Sequence, residues 1–232
     1  MESKVINQIG PSKETLENPG VSFADGIPWA AIVGVDGSGK STVLRRLQQR
    51  GKEIPCKGIE VLHRRPKFVY QSQKSPDGEI THYSKPNHGK VKSILKIAAM
   101  VLDWEVGYWT YVRRRWAEGY FVTADRHSLL DMLADPHRYR YGGPPGYVNL
   151  AIKLAPVPPM IFLLDAPLDI LLARKQELSR TRLIHLRESY QEIFKNWPGC
   201  TMLDASRPVD DTVSDLIKVI AYGLSNIRCM DV

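Results

Sequence analysis

The sequence predicts a three-layer α/β/α fold with a five-stranded parallel sheet, and three of its features carry that prediction. Five short apolar runs alternate with segments of helical period, the order that βαβ units require. One of them, Tyr120–Ala124, is a continuous apolar run rather than an alternating one, as a strand covered on both faces must be. The first of them ends in a glycine-rich turn that opens a helix.

The elements follow in chain order. Residues 1–26 are polar, broken by Pro11 and Pro19 and without period, and are read as a flexible amino-terminal arm ahead of one domain at 27–232. Trp29–Val33 is the first core strand, and a helix from Lys40 to about Arg50 buries Val43, Leu44 and Leu47. Ile59–Leu62 is the second strand. Its basic exit, His63 to Lys67, falls on the sheet edge where open α/β folds bind ligands and suits either a cation set facing the acceptor or a solvated loop. A polar loop runs from Gln71 to Lys90. Val91 to about Glu118 reads as one helix, with Ile94, Leu95, Val101, Leu102, Tyr108, Trp109 and Val112 on a broad apolar face. Asp103, Trp104, Glu105 and Tyr108 are the positions there that would face a cleft, core packing being the better reading for the two aromatics.

Gly119 ends that helix, and the third strand, Tyr120–Ala124, delivers Asp125, Arg126 and His127 at its carboxyl end. A short helix from Ser128 to about Ala134 leads to the Arg138–Gly146 segment. Its interleaved arginines and tyrosines suit either an anionic or ring-bearing ligand or a packed surface loop. Met160–Asp165 is the fourth strand, and Pro167 opens the next helix, where its missing N–H costs nothing. Arg174, Lys175, Arg180, Arg182 and Arg187 then crowd together, a helix runs to about Asn196, Thr201–Asp204 is the fifth strand, and a closing helix starts after Pro208.

The turn after the first strand carries the chemistry. Gly34 and Gly39-Lys40-Ser41 satisfy G-x-x-x-x-G-K-[ST], with a strand before and a helix after, the context in which backbone N–H groups cradle a nucleotide's phosphates. Gly34, Gly37 and Gly39 let the backbone approach an anion closely. The helix start directs unpaired N–H groups and the positive dipole end at the phosphates, Lys40 adds a point charge for them, and Ser41 is the expected Mg²⁺ ligand.

Composition narrows the class. A hydrophobic content of 43% is ordinary for a globular domain, and no run is long enough to span a membrane. Three widely separated cysteines suggest neither a disulfide framework nor a zinc site, which makes a reducing cytoplasm the expected location. The formal charge of +7 favours anionic partners. Because the lysines are scattered, a solvated basic surface is the better reading, and nucleic acid is not the expected partner.

The cradle, the Asp125-Arg126 pair, the arginine-rich segment and the Asp204-Ala205-Ser206-Arg207-Pro208 turn occur in an order that resembles the thymidylate kinases and related nucleoside and nucleotide kinases, from about Trp29 to Ile220. The resemblance implies a P-loop kinase fold with a basic lid at about 174–183, ATP and Mg²⁺ as cofactors, and a homodimer whose interface would involve the Val91–Glu118 helix. It also assigns roles. Gly34, Gly37, Ser38, Gly39, Lys40, Ser41 and Thr42 would hold the phosphates, with Ala205 and Ser206 in the turn against the adenine. Asp36 would face the acceptor hydroxyl, Asp125 would join Ser41 near Mg²⁺, and Arg126 would hold the acceptor phosphate. Some relatives carry a catalytic arginine where this chain has Ser38, so Arg174, Arg180 and Arg182 become the candidates for that charge.

The resemblance is weaker on the acceptor side. Val33 stands where the family usually has Glu, His127 where it generally has Tyr, and Trp104 at the position of an arginine that grips the acceptor phosphate. An indole does not replace a bidentate guanidinium. Phosphorylation of dTMP to dTDP is therefore the first reading, with a nucleoside or the hydroxyl of a sugar or glycan as the alternative acceptor. A GTPase switch lacks an Asn-Lys-x-Asp segment for guanine, and a polynucleotide-binding ATPase rests only on the pI near 9.3.

Overall fold

The computed structural model describes residues 27–63, 86–174 and 178–228. The amino-terminal arm, the basic exit beyond His63, most of the Gln71–Lys90 loop and part of the arginine-rich segment lie outside the described residues.

Five parallel strands, β1 (Trp29–Val33), β2 (Gly58–His63), β3 (Tyr120–Asp125), β4 (Met160–Asp165) and β5 (Cys200–Asp204), form one sheet in the order β2-β3-β1-β4-β5. β1 is central, with Ile32 beside Asp125 of β3 and Phe162 of β4. The chain leaves β1 between two strands that lead away in opposite directions, which opens a crevice at the carboxyl edge. All five residues of β1 and all six of β4 are buried, as expected for strands covered by helices on both faces. The five-stranded parallel sheet with surrounding helices is the predicted architecture.

Helices pack by their apolar stripes. α1 (Lys40–Gln49) buries Val43, Leu44 and Leu47 as predicted. Each large aliphatic side chain moved from water stabilises the fold by about 1.5–3 kcal/mol. The long helix is interrupted: α2 (Lys90–Gly107) passes through a π-helical turn at Tyr108–Val112 before α3 (Arg113–Ala117). The wider turn puts both Tyr108 and Val112 in the core and turns Trp109 out, 58% exposed. The predicted apolar face is accordingly corrected. Ile97, Met100 and Trp104 point inward, whereas Leu95 and Leu102 lie on the outer side. Asp103, Trp104 and Tyr108 are all buried, and Trp104 and Tyr108 take the core role.

α4 (Ser128–Ala134) matches its prediction, and Pro145–Leu154, a stretch for which the sequence predicts no element, forms α5. Pro145 opens it, and Val148, Ala151 and Ile152 bury one side. The remaining helices are α6 (Leu168–Arg174), α7 (Arg180–Phe194) and α8 (Val209–Arg228). Arg46 and Arg50 of α1 reach Asp210 of α8, an exposed link of small energetic value.

Trp29, Trp104 and His127 form an aromatic stack behind the third strand, with the Trp104 and His127 rings 3.9 Å apart. Trp104 Nε1 donates to Ser128 Oγ at 2.9 Å. His127 needs only one ring proton: Nε2 donates to the Pro156 carbonyl at 3.1 Å, and Nδ1 accepts from the Leu130 N–H at 3.4 Å. Burial pushes its pKa down from 6.5 to about 3. The unfolded chain therefore binds a proton that the folded chain refuses between these values, and stability falls as pH drops through that window, with a slope of about 1.4 kcal/mol per pH unit for the one group. Calorimetric melts from pH 7 to pH 4 should show this loss, and His127→Phe should flatten the slope between pH 6.5 and 4.

Candidate active site

The loop from Gly34 to Gly39 packs tightly over β4. At Gly34, with φ at 140°, an added Cβ would lie 2.4 Å from the Leu164 carbonyl oxygen, so only glycine lets the chain turn here. Gly39 caps α1 in the left-handed conformation without a side-chain cap, and the first turn of α1 carries no acid. The Lys40 and Ser41 N–H groups have no hydrogen-bond acceptor among the described residues. Lys40 is 7% exposed and its Nζ donates to Gly34 O at 2.9 Å, Val35 O at 2.6 Å and Ser38 Oγ at 3.1 Å. Burial, aided by the Arg126 charge, pushes its pKa well below the ordinary lysine value. Unpaired N–H groups at a helix start beside a buried ammonium make an anion site.

The loop opens onto a cleft of about 600 Å³. Asp36, Gly37, Ser38, Gly39, Lys40, Ser41 and Thr42 line it together with Asp125, Arg126, Arg138, Arg174, Ala205 and Arg207. Most of the predicted site thus converges. Ser41 and Asp125 supply a hydroxyl and a carboxylate, hard oxygen donors of the kind Mg²⁺ takes alongside phosphate oxygens and water. Together with the phosphate cradle, this donor set fits Mg²⁺-nucleotide.

Beside the loop, four charged groups interlock. Arg126 follows β3 with φ at 68°, an uncommon backbone for a side chain of this size, fixed by its N–H donating to Ile32 O at 3.1 Å. Its guanidinium donates to Asp131 Oδ1 at 2.6 Å, to Asp36 Oδ1 at 2.7 Å and to the Tyr190 hydroxyl at 3.1 Å. Arg138 donates to Asp36 Oδ2 at 2.8 Å. Asp131, fully buried, also accepts from the Tyr139 hydroxyl at 3.0 Å and from the Tyr190 hydroxyl. Burial alone would raise the Asp36 and Asp131 carboxyls. The two guanidinium groups outweigh it and hold both below their ordinary value, Asp36 far below the usual carboxylate range.

The arginine-rich segment divides. Arg174 ends α6 at the cleft and donates to the Ala205 carbonyl at 2.9 Å. Arg180 instead reaches Asp169 at 3.7 Å on an exposed surface, and neither it nor Arg182 lines the cleft. Ala205 lines the cleft, its N–H held by Asp165 O at 2.7 Å. Ser206 is turned to Asp204, which accepts from its N–H at 2.8 Å and its hydroxyl at 2.6 Å. Arg187, grouped with these cations in the sequence, forms a bidentate pair with Asp165 at 2.7 Å and ties α7 to β4.

Asp131 and Tyr190 were not legible as site residues, and Arg138 was legible only as one arginine of a mixed segment. Asp131 left a trace, an acid among Leu129, Leu130 and Met132 where the helix is otherwise apolar. Tyr190 lies 64 residues from Arg126 and leaves no local signal.

Fold and cradle together define a P-loop kinase α/β architecture. A crystal structure of thymidylate kinase from Ehrlichia chaffeensis is similar to this chain, with a TM-score of 0.53 at 15% identity, over 83% of this chain and 98% of that one. This is a likeness of fold. Neither the family models nor the curated protein sequences give a match.

Removing Asp131 would leave the Arg126 guanidinium buried with one of its two carboxylate partners. Asp131→Ala should lower stability by about 3–5 kcal/mol in urea unfolding, and a loss below about 1 kcal/mol would contradict the buried-pair account.

Proposed function

We propose that the chain is an Mg²⁺·ATP-dependent phosphotransferase of the thymidylate kinase type, with dTMP as the first-ranked acceptor. One observation carries the reading: the anion site at the start of α1 and the Asp36–Arg126–Arg138 cluster open onto the same cleft.

Mg²⁺·ATP supplies the transferable phosphoryl group and a counter-charge for it. The N–H groups of Lys40 and Ser41 bind phosphate oxygens, and the Lys40 ammonium neutralises them. Ser41 and Asp125 hold the cation, and the Ala205 turn backs the adenine. Arg174 is the candidate for the cation that balances charge in the transition state, because it lies at the cleft whereas Arg180 and Arg182 do not. Asp36 faces the sugar hydroxyl of the acceptor, the attacking oxygen of dTMP being one of its own phosphate oxygens.

A nucleoside, sugar or glycan hydroxyl is the second reading. The observation in its favour is Trp104, which fills the position of the family's phosphate-gripping arginine with a buried indole.

Turnover with a panel of nucleoside monophosphates, nucleosides and sugars, read as ADP formation, tests both. ADP should form with dTMP, and formation only with a neutral acceptor would replace the first reading by the second. Lys40→Ala should abolish transfer in a folded protein, and Arg174→Ala should slow it by on the order of 10³. Unchanged turnover in Lys40→Ala would overturn the kinase reading.

The chain also acts as a homodimer. Val91, Leu95, Leu102 and Trp109 are exposed on α2 and its π turn, as are Leu150 and Leu154 on α5, and large apolar side chains left in water mark interaction surfaces where they cluster. Sedimentation equilibrium should give twice the chain mass of 26.3 kDa, and a monomer at micromolar concentration would exclude it.

A further inference from the structure

The Arg138–Gly146 segment is not explained by a phosphate cradle, yet the fold fixes it firmly. The Arg138 N–H donates to Asp135 Oδ1 at 3.1 Å, and the Tyr139 hydroxyl is held by Asp131 at 3.0 Å. Arg140 adopts the left-handed conformation, φ 51°, and its guanidinium donates to Pro86 O at 2.9 Å, while its carbonyl accepts from the His88 N–H at 2.8 Å. The Gly142 N–H donates to Ser93 Oγ at 3.0 Å. These bonds pin both flanks of Arg138 to α2 and α4, so its guanidinium is presented to the cleft from a rigid base.

What it meets there is informative. Arg126 and Arg138 take one oxygen each of a single carboxylate, at 2.7 and 2.8 Å, the arrangement two guanidinium groups adopt around an oxyanion. The two arginines are not equally committed. Arg126 keeps Asp131 at 2.6 Å whatever happens to Asp36, whereas Arg138 approaches Asp131 only to 3.8 Å and has Asp36 as its close partner. The Asp36–Arg138 contact is therefore the exchangeable one. The cleft around it is lined by Lys40, Arg126, Arg138, Arg174 and Arg207 against Asp36 and Asp125, so a further anion is electrostatically welcome.

We propose that Arg138 is a specificity residue that, with Arg126, receives a phosphomonoester on the acceptor, and that Asp36 occupies this clamp until such a group displaces it. The inference rests on the phosphotransferase reading and narrows it to an acceptor that already carries a phosphate. Exchange on Arg138 frees Asp36 Oδ2 to accept a hydrogen bond from the acceptor hydroxyl. An acceptor without an anionic group leaves Asp36 latched, with both oxygens engaged. The clamp also supplies, from the far side of α4, the guanidinium that Trp104 cannot.

Calorimetric binding of matched pairs tests this without turnover: dTMP against thymidine, ribose 5-phosphate against ribose, and inorganic phosphate alone. The two pairs separate a nucleotide from a sugar phosphate. The wild-type chain should prefer the phosphorylated member of at least one pair by on the order of 10². Arg138→Gln should bring that ratio near unity, and Arg138→Lys, which keeps charge but not the fork, should fall between. Both variants are checked by thermal melting; if Arg138→Gln does not fold, Arg138→Lys alone must still reduce the ratio. A wild-type chain that binds neutral and phosphorylated members equally, or binds neither in every pair, overturns the proposal. So does a folded variant with an undiminished ratio. ADP formation is read separately. Preference without ADP leaves the clamp and removes the kinase reading, whereas ADP formed only on a neutral acceptor leaves the kinase and removes the clamp.

Discussion

Asp131 is the residue on which the acceptor half of the cleft depends. It is fully buried, and its charge is tolerated only because Arg126, Tyr139 and Tyr190 satisfy it from three different elements. In return it holds the Arg126 guanidinium in a single direction. Arg126 then positions Asp36, and Asp36 meets Arg138. A burial that would be costly alone becomes, once paired, a way of aiming side chains from β3, the phosphate loop and the segment after α4 at one point.

The two halves of the cleft are built differently, and this explains how much of each the sequence disclosed. The phosphate cradle is local: its glycines, Lys40 and Ser41 lie within eight residues of Gly34, and its function uses backbone groups whose direction the strand-turn-helix order already dictates. β1, β3 and β4 were legible for a similar reason, since burial on both faces writes a largely apolar run. The acceptor half is assembled from Asp36, Arg126, Asp131, Arg138 and Tyr190, spread over more than 150 residues. No spacing rule connects them, and only the parallel sheet order brings them together.

The misread helix has an equally local cause. A 3.6-residue period cannot register the extra residue of a π turn, so Trp109 was assigned to the same face as Tyr108 and Val112. Likewise Pro145 belongs both to turns and to first helical turns, and the packing of Val148 and Ile152 decides for the helix. Arg174 and Arg180, six residues apart in a run of like charge, became distinguishable only because α6 ends at the cleft and α7 begins outside it.

The Trp29–Trp104–His127 stack bears on the routes by which this protein could change its substrate. An arginine introduced at Trp104 would be buried between an indole and a histidine that burial keeps neutral. An uncompensated charge there costs several kcal/mol, a large share of the roughly 5–15 kcal/mol that holds a domain folded. A charged side chain at position 104 is thus reached only through a poorly folded intermediate unless His127 or Trp29 changes first.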